Sequence, residues 1–90
     1  MTVEELVASL ELEVFSPGEM SQVVTGGYAS DLLSCVMARA QSGNIWVTLQ
    51  AHPSVVAVAS LLNLSAVLIT EGVTPDSDTV ERAQENRVSL

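Results

Sequence analysis

The chain has no lysine and only three arginines, Arg39, Arg82 and Arg87, against eleven Asp and Glu, for a formal charge of -8 over 90 residues. Three cations in so acidic a field cannot line a groove along a phosphate backbone, which excludes a nucleic-acid-binding role. Without lysine there is neither a Walker-type phosphate loop nor Schiff-base chemistry. An anionic membrane surface repels such a chain. The one cysteine, Cys35, excludes an internal disulfide and fits a reducing, cytoplasmic setting. One histidine, one cysteine and no clustered ligand spacing give no metal-site pattern. The opening Met1-Thr2-Val3-Glu4-Glu5 lacks the basic flank of a signal peptide. The longest apolar run, residues 55–69, falls short of the about 20 residues a membrane span needs and is broken by Asn63 and two serines.

What is present is apolar: hydrophobic residues make up 48% and charged residues 16%, a composition that folds rather than staying disordered. Ninety residues make one domain, and a domain of this size buries only about 60–65% of the surface its unfolded chain exposes. With disulfides and metals set aside, oligomerisation is the expected source of extra stability.

Thr2 followed by Glu5 is a capping box, and it predicts a first helix over residues 3–8. Residues 10–15 alternate Leu10, Leu12 and Val14 with Glu11 and Glu13, the pattern of a strand with one wet face. Residues 16–19 read as a turn, and residues 22–25 as a short strand closed by Gly26-Gly27. Leu32, Leu33, Val36, Met37 and Ala40 share a face at helical spacing and predict a helix over residues 29–41. Residues 44–50 alternate as a strand, and His52-Pro53 opens a helix to about residue 62. Residues 66–70 are a nearly all-apolar strand, as expected where both sheet faces are covered. Asp76 or Ser77 starts a last helix to about residue 86, and residues 88–90 add a final short strand. Alternation of this kind predicts a small three-layer α/β domain with a mostly parallel sheet flanked by helices.

Ligands of open parallel sheets bind beyond the carboxyl ends of the strands. Three loops are expected to gather there. They carry Thr25, Gly26, Gly27 and Tyr28; Gln50 and His52; and Thr70, Glu71 and Gly72. Each leads towards a helix N-terminus, where free N–H groups favour anions. The functional reading is a crevice for a small anionic or polar ligand. Local readings stand beside it: the glycine pair as a turn, His52 as a helix cap, Glu71 as a solvated charge and Asp31 as a helix-dipole partner. Cys35 lies on the flank of its helix and reads as a small, half-buried hydrophobe. The helix after His52 has almost no polar face, so an apolar face carrying Val55, Val56, Ala59 and Leu62 is expected at a homodimer or partner interface.

The runs Gly26-Gly27-Tyr28-Ala29-Ser30-Asp31-Leu32-Leu33-Ser34 and Thr48-Leu49-Gln50-Ala51-His52-Pro53, with Ile69-Thr70-Glu71-Gly72, resemble the small stand-alone DRTGG-domain proteins, over about residues 7–90. That family is related to the amino-terminal, non-catalytic domain of HPr kinase/phosphorylase. The family signature itself is not intact, its nearest fragments being Thr25-Gly26-Gly27 and Thr70-Glu71-Gly72. The resemblance implies a DRTGG-like fold, an accessory or ligand-sensing role, an adenine nucleotide as a conceivable ligand, and a link to hydrogenase or energy metabolism. It does not carry kinase activity to a chain without a phosphate loop or lysine.

Three functional expectations follow. The first is a non-enzymatic regulatory domain, homodimeric and free of cofactors, that senses a small anion. The second is a protein-interaction module that docks through its apolar helix. The third is a small enzyme using His52 with Glu71 or Cys35, ranked last because no activated nucleophile or base pair stands out.

Overall fold

The computed structural model describes residues 1–90. Seven elements follow one another: α1 Val3–Leu10, β1 Gly26–Ala29, α2 Leu33–Arg39, β2 Asn44–Thr48, α3 Ser54–Leu62, β3 Ala66–Ile69 and α4 Ser77–Glu85. The strands form one parallel sheet in the order β1-β2-β3. Because the order runs steadily in one direction, right-handed crossovers put α2 and α3 on the same face. The core agrees. Val36 of α2, Val55, Val56, Val58 and Ala59 of α3, and Ala83 of α4 pack with Trp46 and Val67 on one side of the sheet. Val3 of α1 packs with Ile45 and Ala66 on the other side, helped by Leu6, Val7, Met20 and Val24. The result is the three-layer α/β domain expected, with α1 alone as the helical third layer.

The capping box starts α1 as its residues dictate. The Thr2 hydroxyl accepts from the Glu5 N–H at 3.2 Å, and the Glu5 carboxylate accepts from the Thr2 N–H at 3.0 Å. Glu11 ends the helix in the left-handed region at φ 54, its N–H reaching the Val7 carbonyl. This stop corrects the expectation of a strand over residues 10–15. Alternation makes a strand only where a neighbour offers a ladder. Here the chain continues irregularly until Phe15 and Ser16 both donate to the Leu90 carbonyl.

The expected strand at residues 22–25 also moves. Val23 joins only an isolated antiparallel bridge to Thr2, and the sheet strand is the next segment, Gly26–Ala29. Thr25 fixes that register: its N–H donates to the Gly43 carbonyl at 2.9 Å and its hydroxyl to the Ser42 carbonyl at 3.0 Å. Gly26 then pairs with Asn44 and Tyr28 with Trp46. The helix after it is shorter than its apolar spacing predicts, Leu33–Arg39 rather than residues 29–41, because Ala29 belongs to β1 and residues 30–32 form a loop. The residues 88–90 do not form a strand either. They lie along the outer side of β3 with one rung, Val67 N–H to the Ser89 carbonyl.

A second closure holds those residues down. Ser16 and Leu90 exchange backbone hydrogen bonds at 3.2 and 2.8 Å, the buried Ser16 hydroxyl donates to the Val88 carbonyl at 2.7 Å, and Ser89 donates to the Pro17 carbonyl at 2.6 Å. Gly18 makes this possible. Its φ is +52, and a Cβ there would sit 2.5 Å from the Ser89 nitrogen. Gly18→Ala combines a left-handed backbone with a backbone clash. It is expected to lower the unfolding free energy by about 2–3 kcal/mol in urea melts, whereas Gly72→Ala, with the same backbone sign but open space around it, loses about 1 kcal/mol.

Candidate functional site

Thr48 ends β2 with its side chain buried on the α2–α4 side of the sheet, and the loop after β1 reaches over to meet it. One Asp31 carboxylate oxygen accepts from the Thr48 hydroxyl at 2.9 Å and from the Leu49 N–H at 2.7 Å. Gln50 answers from the other loop, its side-chain amide donating to the Asp31 carbonyl at 2.9 Å and its N–H to the Thr48 hydroxyl at 3.1 Å. The loops at residues 30–32 and 49–53 are thus stitched together by charge-assisted and neutral hydrogen bonds. This also explains why β2 ends at Thr48 rather than at the expected residue 50: Asp31 captures the Leu49 N–H.

The Ala51 carbonyl ties the next loop in, accepting from the Thr79 hydroxyl at 2.6 Å and from the Asp76 N–H at 3.2 Å. Beside it His52 Nδ1 lies 3.5 Å from an Asp76 carboxylate oxygen, with 71% of the His52 side chain exposed. Thr70 prolongs the ladder through its N–H to the Thr48 carbonyl, and Glu71 and Gly72 turn the chain at φ 62 and φ 71.

The nine residues expected around one crevice are therefore divided. Gln50, His52, Thr70, Glu71 and Gly72 do stand at the carboxyl end of the sheet. Thr25, Gly26 and Gly27 stand at the amino end, because Gly26 begins β1 instead of following it. Tyr28 lies within the strand, half-buried against the larger core. The loop that does follow β1 supplies Ser30, Asp31 and Leu32. Asp31, read from sequence as a helix-dipole partner, is the acceptor that joins two loops. Cys35 is half-buried on α2, away from His52 and Glu71 in the element order, and no three His, Cys, Asp or Glu side chains come together as a cation site.

The expected interface residues are also placed differently. Val55, Val56 and Ala59 are buried inside this chain and Leu62 packs against the same core. The sheet takes one face of α3, while α2 and α4 flank it. The nearly all-apolar helix is covered by its own domain, leaving Ala57, Ser60 and Leu61 outward.

The other face of the sheet holds a feature that the sequence did not announce. A cavity of about 210 Å³ opens between α1, the coil of residues 12–20, β3 and the loop of residues 72–74. Fourteen of its 19 lining residues are hydrophobic, among them Leu6, Val7, Phe15, Met20 and Leu68. The serine hydroxyls beside it are occupied by the Val88 and Pro17 carbonyls, and no buried side-chain nitrogen or oxygen lacks a partner. Glu13 is the one ionisable side chain in the lining. The available signal was the set Leu12, Phe15 and Met20, three apolar residues in a segment with turn residues on every side.

No protein-family model, curated protein or solved structure matches the chain. No helix is long and apolar enough to cross a membrane.

The stitching at the carboxyl end predicts a contrast between two polar residues. Asp31→Ala leaves the buried Thr48 hydroxyl and the Leu49 N–H without their acceptor, and is expected to cost about 1–2 kcal/mol in denaturant melts. His52→Ala removes only an exposed pair and is expected to change stability by less than about 0.5 kcal/mol.

Proposed function

We propose that this chain is a non-catalytic ligand-sensing domain whose ligand is a small apolar molecule with a neutral or cationic head, held in the cavity between α1 and the sheet. The observation that carries this reading is the cavity itself. At about 210 Å³ it exceeds the about 150 Å³ of an engineered apolar cavity that stays dry and takes up benzene. No buried side-chain nitrogen or oxygen in its wall is left unpaired to recognise a sugar or a base, and the polar side chains Glu13 and Thr74 lie exposed at the lining. An apolar body is what gains free energy by leaving water for such a site. Glu13 at the lining and the net charge of -8 disfavour an anionic head and suit a neutral or cationic one.

Those charges also weigh against the small anion, such as an adenine nucleotide, expected from the strand-end loops. Asp31, Glu71 and Asp76 all stand at the carboxyl end of the sheet, and His52 there faces a carboxylate. The Thr48 hydroxyl, the Leu49 and Gln50 N–H groups, the Gln50 side-chain NH2 and the Ala51 carbonyl already have partners within the chain. A sensing rather than catalytic role accords with the accessory role that the DRTGG resemblance implies. Cytoplasmic location and homodimerisation belong to the same proposal.

Calorimetric titration with a medium-chain alcohol or alkylamine tests it. Saturable binding with a negative heat-capacity change is expected. Ala66→Leu, which pushes bulk into the cavity from β3, is expected to weaken that binding at least several-fold while the folded circular-dichroism spectrum is retained. Saturable binding of adenosine monophosphate with none of the alcohol or amine would overturn the reading.

A further inference from the structure

The outer edge of β1 points to a second docking surface, independent of the cavity. Ser30 N–H donates to the Val47 carbonyl at 3.1 Å, so the two-residue alternation of a strand turns Tyr28 towards β2 as well. Gly27 and Ala29 then direct their N–H and C=O groups outward. Neither residue has a backbone partner beyond β1, and both are exposed. The opposite edge of the sheet, by contrast, is partly covered by residues 88–90 through the Val67–Ser89 rung.

Natural sheets protect an open edge with a charge, a proline, a bulge or a covering segment. This edge has none of the first two: residues 20–30 contain no Asp, Glu, Lys, Arg or Pro. Its side chains do not block approach, since Gly26 and Gly27 have none and Ala29 has one methyl. Exposed apolar residues flank it, Val23 at 59% and Leu32 at 64%.

We infer that β1 pairs antiparallel with β1 of a second copy of this chain, joining two three-stranded sheets into one of six strands. The choice of a second copy rests on charge and symmetry. Two chains of -8 repel each other, least where the contact itself carries no carboxylate, and residues 20–30 are such a stretch. An antiparallel pair of identical strands about a two-fold axis at Tyr28 sets Gly27 opposite the partner's Ala29, and the partner's Gly27 opposite Ala29. That register satisfies all the outward backbone groups of both edges with four hydrogen bonds. A four-residue edge alone is small for a stable interface, and Val23 and Leu32 add the apolar contact that such an interface needs.

Two measurements on the whole chain test this. Light scattering across micromolar to submillimolar concentrations is expected to reach twice the 9.5 kDa chain mass. Raising salt should strengthen the association, because screening weakens the repulsion between acidic chains. Doubly substituted chains, Gly27→Lys with Ala29→Lys or Gly27→Glu with Ala29→Glu, place like charges opposite each other. Each is expected to raise the dissociation constant by about tenfold or more, and mixing the two should restore a dimer. A Cβ at Gly27 meets only the Ile45 carbonyl at 3.7 Å, so folding is not strained by the change, and circular dichroism checks it. Hydrogen exchange on the unaltered chain gives an independent reading, with the Gly27 and Ala29 amides protected at high concentration and released on dilution. A monomer at every concentration, like-charged variants that stay paired, or exchange at these two amides that ignores concentration would each overturn the inference.

Discussion

Ile45 and Trp46 are neighbours in β2, both buried, and they point to opposite faces of the same strand. The rest of the structure depends on that requirement. β2 is the central strand, so both of its faces must be kept from water by a chain of only 90 residues. Three helices go to the Trp46 side, where the fully buried indole also needs a partner and donates to the Ser30 carbonyl at 2.8 Å. The Ile45 side receives one eight-residue helix and an irregular coil. Burial there is thinner, and two features follow from it: the cavity beside β3 and the bare, glycine-rich strand at β1. The candidate functional surfaces are thus the places where cover is short, not places where reactive side chains converge.

The polar end of the sheet shows the complementary arrangement. A parallel sheet usually presents loop N–H groups and hydroxyls to a ligand at its carboxyl end. In this chain Asp31 is planted among them, and the Thr48 hydroxyl, the Leu49 N–H and the Gln50 amide bond to it or to one another. The same bonds fix the β1–α2 loop on the β2–α3 loop, and Thr79 fixes α4 on the latter. The acidic balance of the sequence accordingly reads as a shell. Carboxylates lie in α1 and the coil after it, in the turn at Glu19, at loop ends and in α4, and none occurs between Leu32 and Thr70.

Much of this was legible in the residues. Thr2 and Glu5 announce α1 because a capping box acts locally. β2, α3, β3 and α4 follow from periodicity and turn chemistry because their partners reinforce what the local sequence prefers. The misplaced elements are those decided by distant partners. Residues 10–15 alternate well yet find no ladder, whereas Gly26–Ala29 has little β preference and is made a strand by Thr25 bonding to Ser42 and Gly43. That shift moved Thr25, Gly26 and Gly27 to the far end of the sheet and divided the expected crevice. The apolar face of α3 gave an interface by composition, but α2, α4 and the sheet cover it within the domain. The cavity depends on how the coil of residues 12–20 folds back over α1, which no local pattern encodes.

The proposed function puts binding on the thinly covered Ile45 face and not on the carboxyl-end loops. Nitrogen–proton correlation spectra of the chain, titrated in parallel with a medium-chain alkylamine and with adenosine monophosphate, address it most directly. Saturable shifts at Leu6, Val7, Phe15 and Leu68 are expected with the amine and none with the nucleotide. Shifts at Gln50, His52 and Glu71 with the nucleotide, and none around the cavity with the amine, would contradict it.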